Sequence, residues 1–312
     1  MTTIFIDGQA GTTGLEISNR LAQRSDIELL EIDSEARKSA DARCALLQEA
    51  DIAILCLPDD AAREAVALAG GHSRILDAST AYRVDNTWAY GLPELCSQQR
   101  ATIANAQFVS NPGCYPQGFI LLVRPLIEAG VLDRQTLLRC HAISGYSGGG
   151  RQMIEAQQAY DAATSDRLNV QAYGLNLQHK HVPEMHLYSN TASAPIFAPS
   201  VAHYYKGMLV QVPLFSRELA GLNVQQVHEL LAATYEGEPF VQVLPWDSSE
   251  MLEGGYLNPT ACNDSNRLEL MVFGNDEQIL LAARYDNLGK GASGAAVQNL
   301  NLMMGLDEST GL

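Results

Sequence analysis

The chain opens with Thr2-Thr3-Ile4-Phe5-Ile6-Asp7-Gly8-Gln9-Ala10-Gly11-Thr12-Thr13-Gly14, and the reading of this stretch decides the fold. The apolar run Ile4-Phe5-Ile6, closed by glycine, reads as a short buried strand. A loop with Gly8, Gly11 and Gly14 follows, and then a helical pattern over residues 15–24. Strand, glycine loop and helix in that order begin a dinucleotide-binding unit. Glycine lets the backbone approach a pyrophosphate, which then rests on the free N–H groups of the helix N-terminus. The spacing is G-x-x-G-x-x-G where the usual fingerprint is G-x-G-x-x-G, so a plain tight βα turn is the competing reading; the preceding strand argues for the nucleotide. Gly8, Gly11, Thr12, Thr13 and Gly14 are the candidate cofactor contacts.

Outward from this loop the alternation continues. Residues 27–33 read as a strand, 41–50 as a helix, 52–57 as a fully buried parallel strand, 59–69 as a helix and 74–79 as a strand. Residues 102–105 and 108–110 add two strand-like pieces. The class is therefore α/β, with an N-terminal Rossmann domain. Ser79 ends the fourth strand, where open α/β sheets place their ligands, and is a further candidate cofactor contact. Arg83 close by reads as a site residue or as a loop ion pair. After the second strand, Asp33 suits the ribose hydroxyl of NAD, whereas Arg37 and Lys38 could reach the 2′-phosphate of NADP. The residues leave that choice open.

From residue 136 the pattern changes. Strand-like segments at 137–143, 196–205, 208–213, 240–244, 268–273 and 279–285, with helices over 150–163 and 224–235, predict an α+β catalytic domain on a mixed or antiparallel sheet. The glycine-rich segment 289–303 becomes helical at its end.

Composition narrows the class of function. With 312 residues, 46% hydrophobic, the chain can bury a large core, in two domains. A formal net charge of −16 argues against nucleic-acid and membrane-surface partners, so a phosphorylated substrate needs a local set of donors. The 6 cysteines include no C-x-x-C pair, and the chain starts directly on a strand, which together predict a reducing cytoplasm. No stretch approaches the roughly 18 apolar residues of a membrane span.

Four stretches carry chemistry. In Asn111-Pro112-Gly113-Cys114-Tyr115-Pro116 a loop ends on a cysteine at the entrance to the apolar helical run 119–127. Unpaired N–H groups and the positive end of the helix dipole favour a thiolate there, which makes Cys114 the candidate nucleophile. Ser144-Gly145-Tyr146-Ser147-Gly148-Gly149-Gly150-Arg151 offers amides, hydroxyls and a guanidinium for an oxyanion. His179-Lys180-His181-Val182-Pro183-Glu184-Met185-His186 holds three imidazoles. No cysteine partners them and the proline interrupts helical presentation, so no metal is expected and acid/base work for a thiol is the better use. Asp286-Asn287-Leu288-Gly289-Lys290-Gly291 places polar groups at the head of the last helix, with Asn287 and Gly291 as candidate cofactor contacts.

In this order, with the final Asn287-Leu288-Gly289-Lys290-Gly291-Ala292-Ser293-Gly294, these motifs resemble the N-acetyl-γ-glutamyl-phosphate reductase family of the aspartate-semialdehyde dehydrogenase superfamily, in its shorter type. The resemblance runs from end to end. It implies a Rossmann domain over 1–112, a catalytic and oligomerisation domain over 113–286, and a helix in 287–312 that returns to the Rossmann domain. It implies NADP(H), with Cys114 as nucleophile and His181 as acid/base, and an acyl phosphate and inorganic phosphate as small-molecule partners. Ser147, Gly148, Arg151 and Glu184 are the candidate substrate contacts, and a homodimer or homotetramer is expected. Two alternatives share the parts: a sister reductase acting on aspartyl or aminoadipyl phosphate, and a non-catalytic nucleotide-binding regulator, which leaves Cys114 and His181 without purpose.

Overall fold

The computed structural model describes residues 1–246 and 251–312. The chain forms two compact units, Met1–Gly113 with Ala292–Leu312, and Cys114–Gly291.

The first unit runs β1 (Thr2–Asp7), α1 (Thr12–Leu21), β2 (Ile27–Leu30), α2 (Ala40–Glu49), β3 (Ile52–Leu55), α3 (Asp59–Ala69), β4 (Arg74–Asp77), β5 (Ala89–Tyr90), α4 (Gln99–Asn105) and β6 (Phe108–Ser110). The six strands form one parallel sheet in the order β2-β1-β3-β4-β6-β5. β3 is Ile-Ala-Ile-Leu and buried throughout, as a strand covered on both faces must be. β1 shows the period of two: Ile4 and Ile6 join one core, Phe5 the other. On the first face lie Ile17 and Leu21 of α1, Ile103 of α4, and Val297 and Leu300 of the terminal helix α10 (Gly294–Met303). On the second lie Leu47 of α2 and Ala62, Ala65 and Ala69 of α3. Local chemistry sets the ends of α3: Asp59 and Asp60 complement its N-terminus, and Gly70, at φ +57°, closes it. Burial of Val297 and Leu300 alone contributes about 3–6 kcal/mol to docking α10 on the sheet.

Residues 102–105, expected as a strand, are the second half of α4. Ile103 is its one large apolar residue, and a single buried position carries no period to read. β5 is two residues long and has no pattern at all.

The second unit runs α5 (Cys114–Glu128), β7 (Arg139–Gly145), α6 (Gly150–Gln158), α7 (Ala162–Arg167), β8 (Val170–Ala172), α8 (Val182–Tyr188), β9 (Ile196–Ala202), β10 (Met208–Phe215), α9 (Val224–Thr234), β11 (Val241–Val243), β12 (Leu268–Gly274) and β13 (Gln278–Tyr285). Its seven strands make a mixed sheet, β11-β12-β13-β10-β7-β9-β8, parallel at β7/β9 and β11/β12 and antiparallel elsewhere. The single helix expected over 150–163 is two, because Asp161 caps a new start by accepting from the Thr164 N–H.

α5 is the buried centre of this unit, packed against β13, α8 and α9. Pro125 inside it has no N–H to give, which would orphan the Leu121 carbonyl four residues earlier. The Tyr235 hydroxyl, at the end of α9, donates to that carbonyl at 2.7 Å, so the proline is tolerated. No helix among the described residues is long and apolar enough to cross a membrane.

Candidate active site

In the first unit the chain leaves β1 toward β2 on one side and returns to β3 on the other, so the carboxyl end of β1 is a topological switch point. The glycine loop lies there. Gly8 has φ +90°, and a Cβ on it would stand 2.3 Å from the Cys56 carbonyl oxygen just past β3. A Cβ on Gly14 would stand 2.5 Å from the Gly8 carbonyl oxygen. Both positions therefore require glycine, for conformation at the first and for space at the second. Gly11 precedes α1 with no side-chain cap, and Thr12 and Thr13 open the helix with no acidic residue in the first turn. Uncapped N–H groups behind a side-chain-free loop fit a pyrophosphate.

Around this loop the polar side chains are tightly engaged. Asp7 is buried and ion-paired with Arg43 at 2.9 Å; burial raises its carboxyl above the usual range and Arg43 opposes that rise. Ser79 gives its hydroxyl to Asp77 at 2.6 Å and accepts from the Ala81 N–H, so it fixes the turn after β4. Asp33 accepts from the Glu35 N–H within its own turn, and Arg37 and Lys38 sit in the exposed turn that follows.

In the second unit Cys114 is the first residue of α5, directly after Gly113. It opens onto a cavity of about 180 Å³ lined also by Tyr115, Ser144, Gly145, Gly148, Gly149, Met153, Tyr173, His179, Lys180, His181 and Val201. Nucleophile and acid/base candidates thus share one cavity. His181, nearly fully buried, immediately precedes α8, and Pro183 sits in the first turn of that helix, where its missing N–H costs nothing. The expectation that Pro183 interrupts helical presentation is corrected: it starts the helix.

His179 Nδ1 accepts from the His181 N–H at 3.2 Å, which leaves the proton of the neutral ring on Nε2. Burial, then the neighbouring Lys180 charge, pushes His179 down to about 4, so it is neutral at pH 7. Its ring stacks edgewise on His181 at 4.8 Å between centroids and on Tyr173 at 5.7 Å. The Tyr173 hydroxyl donates to that of Tyr115 at 3.1 Å; burial pushes Tyr173 up to about 12 and holds Tyr115 well above the usual phenol range. Both remain neutral donors.

The candidate substrate residues divide. Gly148 lines the cavity. Ser147 is buried behind it, its hydroxyl accepting from Asn287 Nδ2 at 2.8 Å, while Asn287 Oδ1 accepts from the Gly207 N–H at 2.8 Å. Ser147 and Asn287 therefore hold the loop to the segment before β10. Glu184 is buried in the first turn of α8, and the cavity takes His179, Lys180 and His181 from this segment instead. Arg151, expected to grip a substrate oxyanion, is 74% exposed and paired with Glu155 at 2.7 Å on α6. Gly291 lies where a Cβ would come within 3.2 Å of the Cys114 Cβ, a close approach that packs the nucleophile. Lys180, Tyr115 and Tyr173 also line the cavity, together with His179, one of the three imidazoles of the 179–186 stretch. Lys180 was legible as a cation between two histidines, whereas Tyr173 gave no signal.

Two family models match, one described as "Semialdehyde dehydrogenase, NAD binding domain" over residues 38–104, the other as "Semialdehyde dehydrogenase, dimerisation domain" over residues 114–287. The fold is that of solved aspartate semialdehyde dehydrogenases. The Francisella tularensis structure superposes with TM-score 0.74 at 13% identity, covering 97% of this chain and 100% of that one. The Candida albicans structure, solved with NADP, gives 0.65 at 12% identity, covering 97% and 98%. Fold and site together define a semialdehyde dehydrogenase. Within that class, a Nostoc sp. protein named N-acetyl-gamma-glutamyl-phosphate reductase 2 is 53% identical, covering 99% of this chain and 98% of its own. A Brucella ovis N-acetyl-gamma-glutamyl-phosphate reductase is 49% identical, covering 97% and 98%. The chain belongs to the N-acetyl-gamma-glutamyl-phosphate reductase family.

Proposed function

We propose that the protein reduces N-acetyl-γ-glutamyl phosphate to N-acetylglutamate 5-semialdehyde and phosphate, a step of arginine biosynthesis, through a thioester on Cys114. The observation that carries this reading is the cavity shared by Cys114 and His181. The Cys114 thiolate attacks the γ-acyl carbon and phosphate leaves with the bonding pair, giving the thioester. Gly8, Gly11, Thr12, Thr13 and Gly14 would hold NADPH, which would supply the hydride for reduction of the thioester. His181 gives a proton to the developing alkoxide and takes it back as the carbonyl re-forms, expelling the Cys114 thiolate and releasing the aldehyde. Lys180, at the cavity wall, faces the anionic groups of the substrate. Gly148 lets the substrate approach the loop backbone. Asn287 and Ser147 act behind it, Ser79 through its turn, and Glu184 through the first turn of α8.

Arg37 and Lys38, with Asp33 engaged in its own turn, support NADP over NAD. The apolar side chains exposed on strands of the second sheet, Ile196 and Phe215, together with the dimerisation-domain match, support a homodimer or homotetramer. The reducing cytoplasm is the compartment consistent with free thiols. The test is phosphate-dependent oxidation of N-acetylglutamate, aspartate and aminoadipate semialdehydes with NADP or NAD. The proposal requires the highest kcat/KM for N-acetylglutamate semialdehyde with NADP; a higher value for another semialdehyde makes the protein a sister reductase.

A further inference from the structure

Tyr285 ends β13 and is completely buried. Its hydroxyl accepts from the Gly118 N–H at 3.1 Å and donates to the Cys114 carbonyl at 2.6 Å. Those two backbone groups are residues i and i+4 of α5, the pair that a regular helix joins directly. A side chain from the sheet thus bonds both backbone groups of the first turn of the helix that carries the thiol, which is helical from Cys114 onward. The hydroxyl can come this close only because residue 118 has no side chain. A Cβ there would stand 2.9 Å from the Tyr285 oxygen and 3.0 Å from the Ala283 Cβ. Gly118 sits in the helix interior without a positive φ, where glycine costs about 1 kcal/mol relative to alanine. Tyr285 and Ala283, and not the backbone conformation, demand it. The hydroxyl keeps its proton, since burial and then the Cys114 charge hold it well above the usual phenol range. On the next residue, Gln117 Nε2 donates to the Lys290 carbonyl at 2.8 Å, tying the same turn to the segment that packs Gly291 against Cys114.

We propose that Tyr285 is a positioning residue for Cys114, its hydroxyl, seated against Gly118, holding the first turn of α5 so that the thiol is aimed into the cavity shared with His181. The proposal rests on the reading of Cys114 as the nucleophile. Removing the hydroxyl takes away the tie from β13 to the Cys114 carbonyl and the Gly118 N–H, so the first turn of α5 is no longer held against the sheet.

The test uses Tyr285→Phe, Gly118→Ala and the double variant. Two quantities are read: steady-state kinetics, and the rate of iodoacetamide modification of Cys114 at pH 7, followed on the Cys114 peptide by mass spectrometry. For Tyr285→Phe we expect kcat to fall about tenfold to hundredfold, the fall a displacement of about 1 Å brings, with KM nearly unchanged. Modification of Cys114 slows by a similar factor, and NADPH affinity is unchanged. Gly118→Ala loses thermal stability because its methyl meets the tyrosine oxygen. The double variant regains only part of that stability, since the oxygen is gone while the ring Cε1 and the Ala283 Cβ still stand 3.0 Å from the added methyl, and it keeps the low kcat and slow modification. Wild-type kcat and modification in Tyr285→Phe, or recovery of both in the double variant, overturns the proposal. Because modification is read without substrate, a wild-type protein that fails to turn over the acyl phosphate defeats the proposed reaction while the role of Tyr285 is still decided.

Discussion

Replacing His179 by asparagine tests the electrostatics of the cavity through stability. In the unfolded chain a histidine titrates near 6.5, whereas burial and Lys180 push the folded ring down to about 4. Above pH 6.5 the ring is neutral in both states and contributes nothing to pH dependence. Between 6.5 and 4 the unfolded state binds the extra proton, so the wild type loses stability as pH falls; below about 4 the loss levels off. The full difference between 6.5 and about 4 corresponds to about 3.4 kcal/mol. The ring is only partly buried, so solvent screening reduces this to about 1–2 kcal/mol. Asparagine cannot titrate, and its Oδ1 can accept from the His181 N–H as Nδ1 does. Lost ring packing shifts the variant by a constant at every pH, and only the change in the difference is diagnostic. Thermal melts of both proteins from pH 7.5 to 4 should show the melting-temperature gap moving by about 2–8 °C in the variant's favour as pH falls. Parallel curves would refute the claim that His179 is held neutral.

Gly14→Ala, whose methyl would stand 2.5 Å from the Gly8 carbonyl oxygen, should weaken NADPH binding by about a hundredfold in a fluorescence titration. Arg151→Ala should leave kcat/KM within about twofold, as an exposed pair on a helix predicts. Lys180→Met should raise the KM for phosphate or for the semialdehyde by about tenfold or more, and the KM that moves identifies the anion it faces. Tyr235→Phe leaves the Leu121 carbonyl unpaired beside Pro125 and should cost about 1–3 kcal/mol in denaturant unfolding.

Much of this architecture is legible in the sequence where local chemistry and tertiary context agree. β1, the glycine loop and α3 are set by an apolar run, by positions that admit only glycine, and by acidic and glycine ends. Cys114 announces itself because Asn111-Pro112-Gly113 forbids helix before it and an apolar run demands helix after it. Elsewhere, short pieces carry no period, and residues 102–105 took their helical state from packing against α10. The roles of the site's polar groups are less legible, because they depend on which partner arrives from far along the chain. Ser147 and Asn287 are bonded to each other although 140 residues apart, a pairing that neither local stretch announces. The pairing of Arg151 with Glu155, one turn on, likewise shows only once α6 is formed. Tyr285 has no local signature at all, and only the glycine it faces in α5 hints that something must come close there.

The central claim is a covalent intermediate on Cys114, and the most direct measurement omits the hydride donor. Mixed with N-acetyl-γ-glutamyl phosphate in the absence of NADPH and quenched in acid, the protein should release about one equivalent of phosphate per site. It should carry an N-acetylglutamyl group on the Cys114 peptide, and Cys114→Ser should do neither while still binding NADPH. Phosphate release that needs NADPH, with Cys114 unmodified, or turnover retained in Cys114→Ser, would contradict the account.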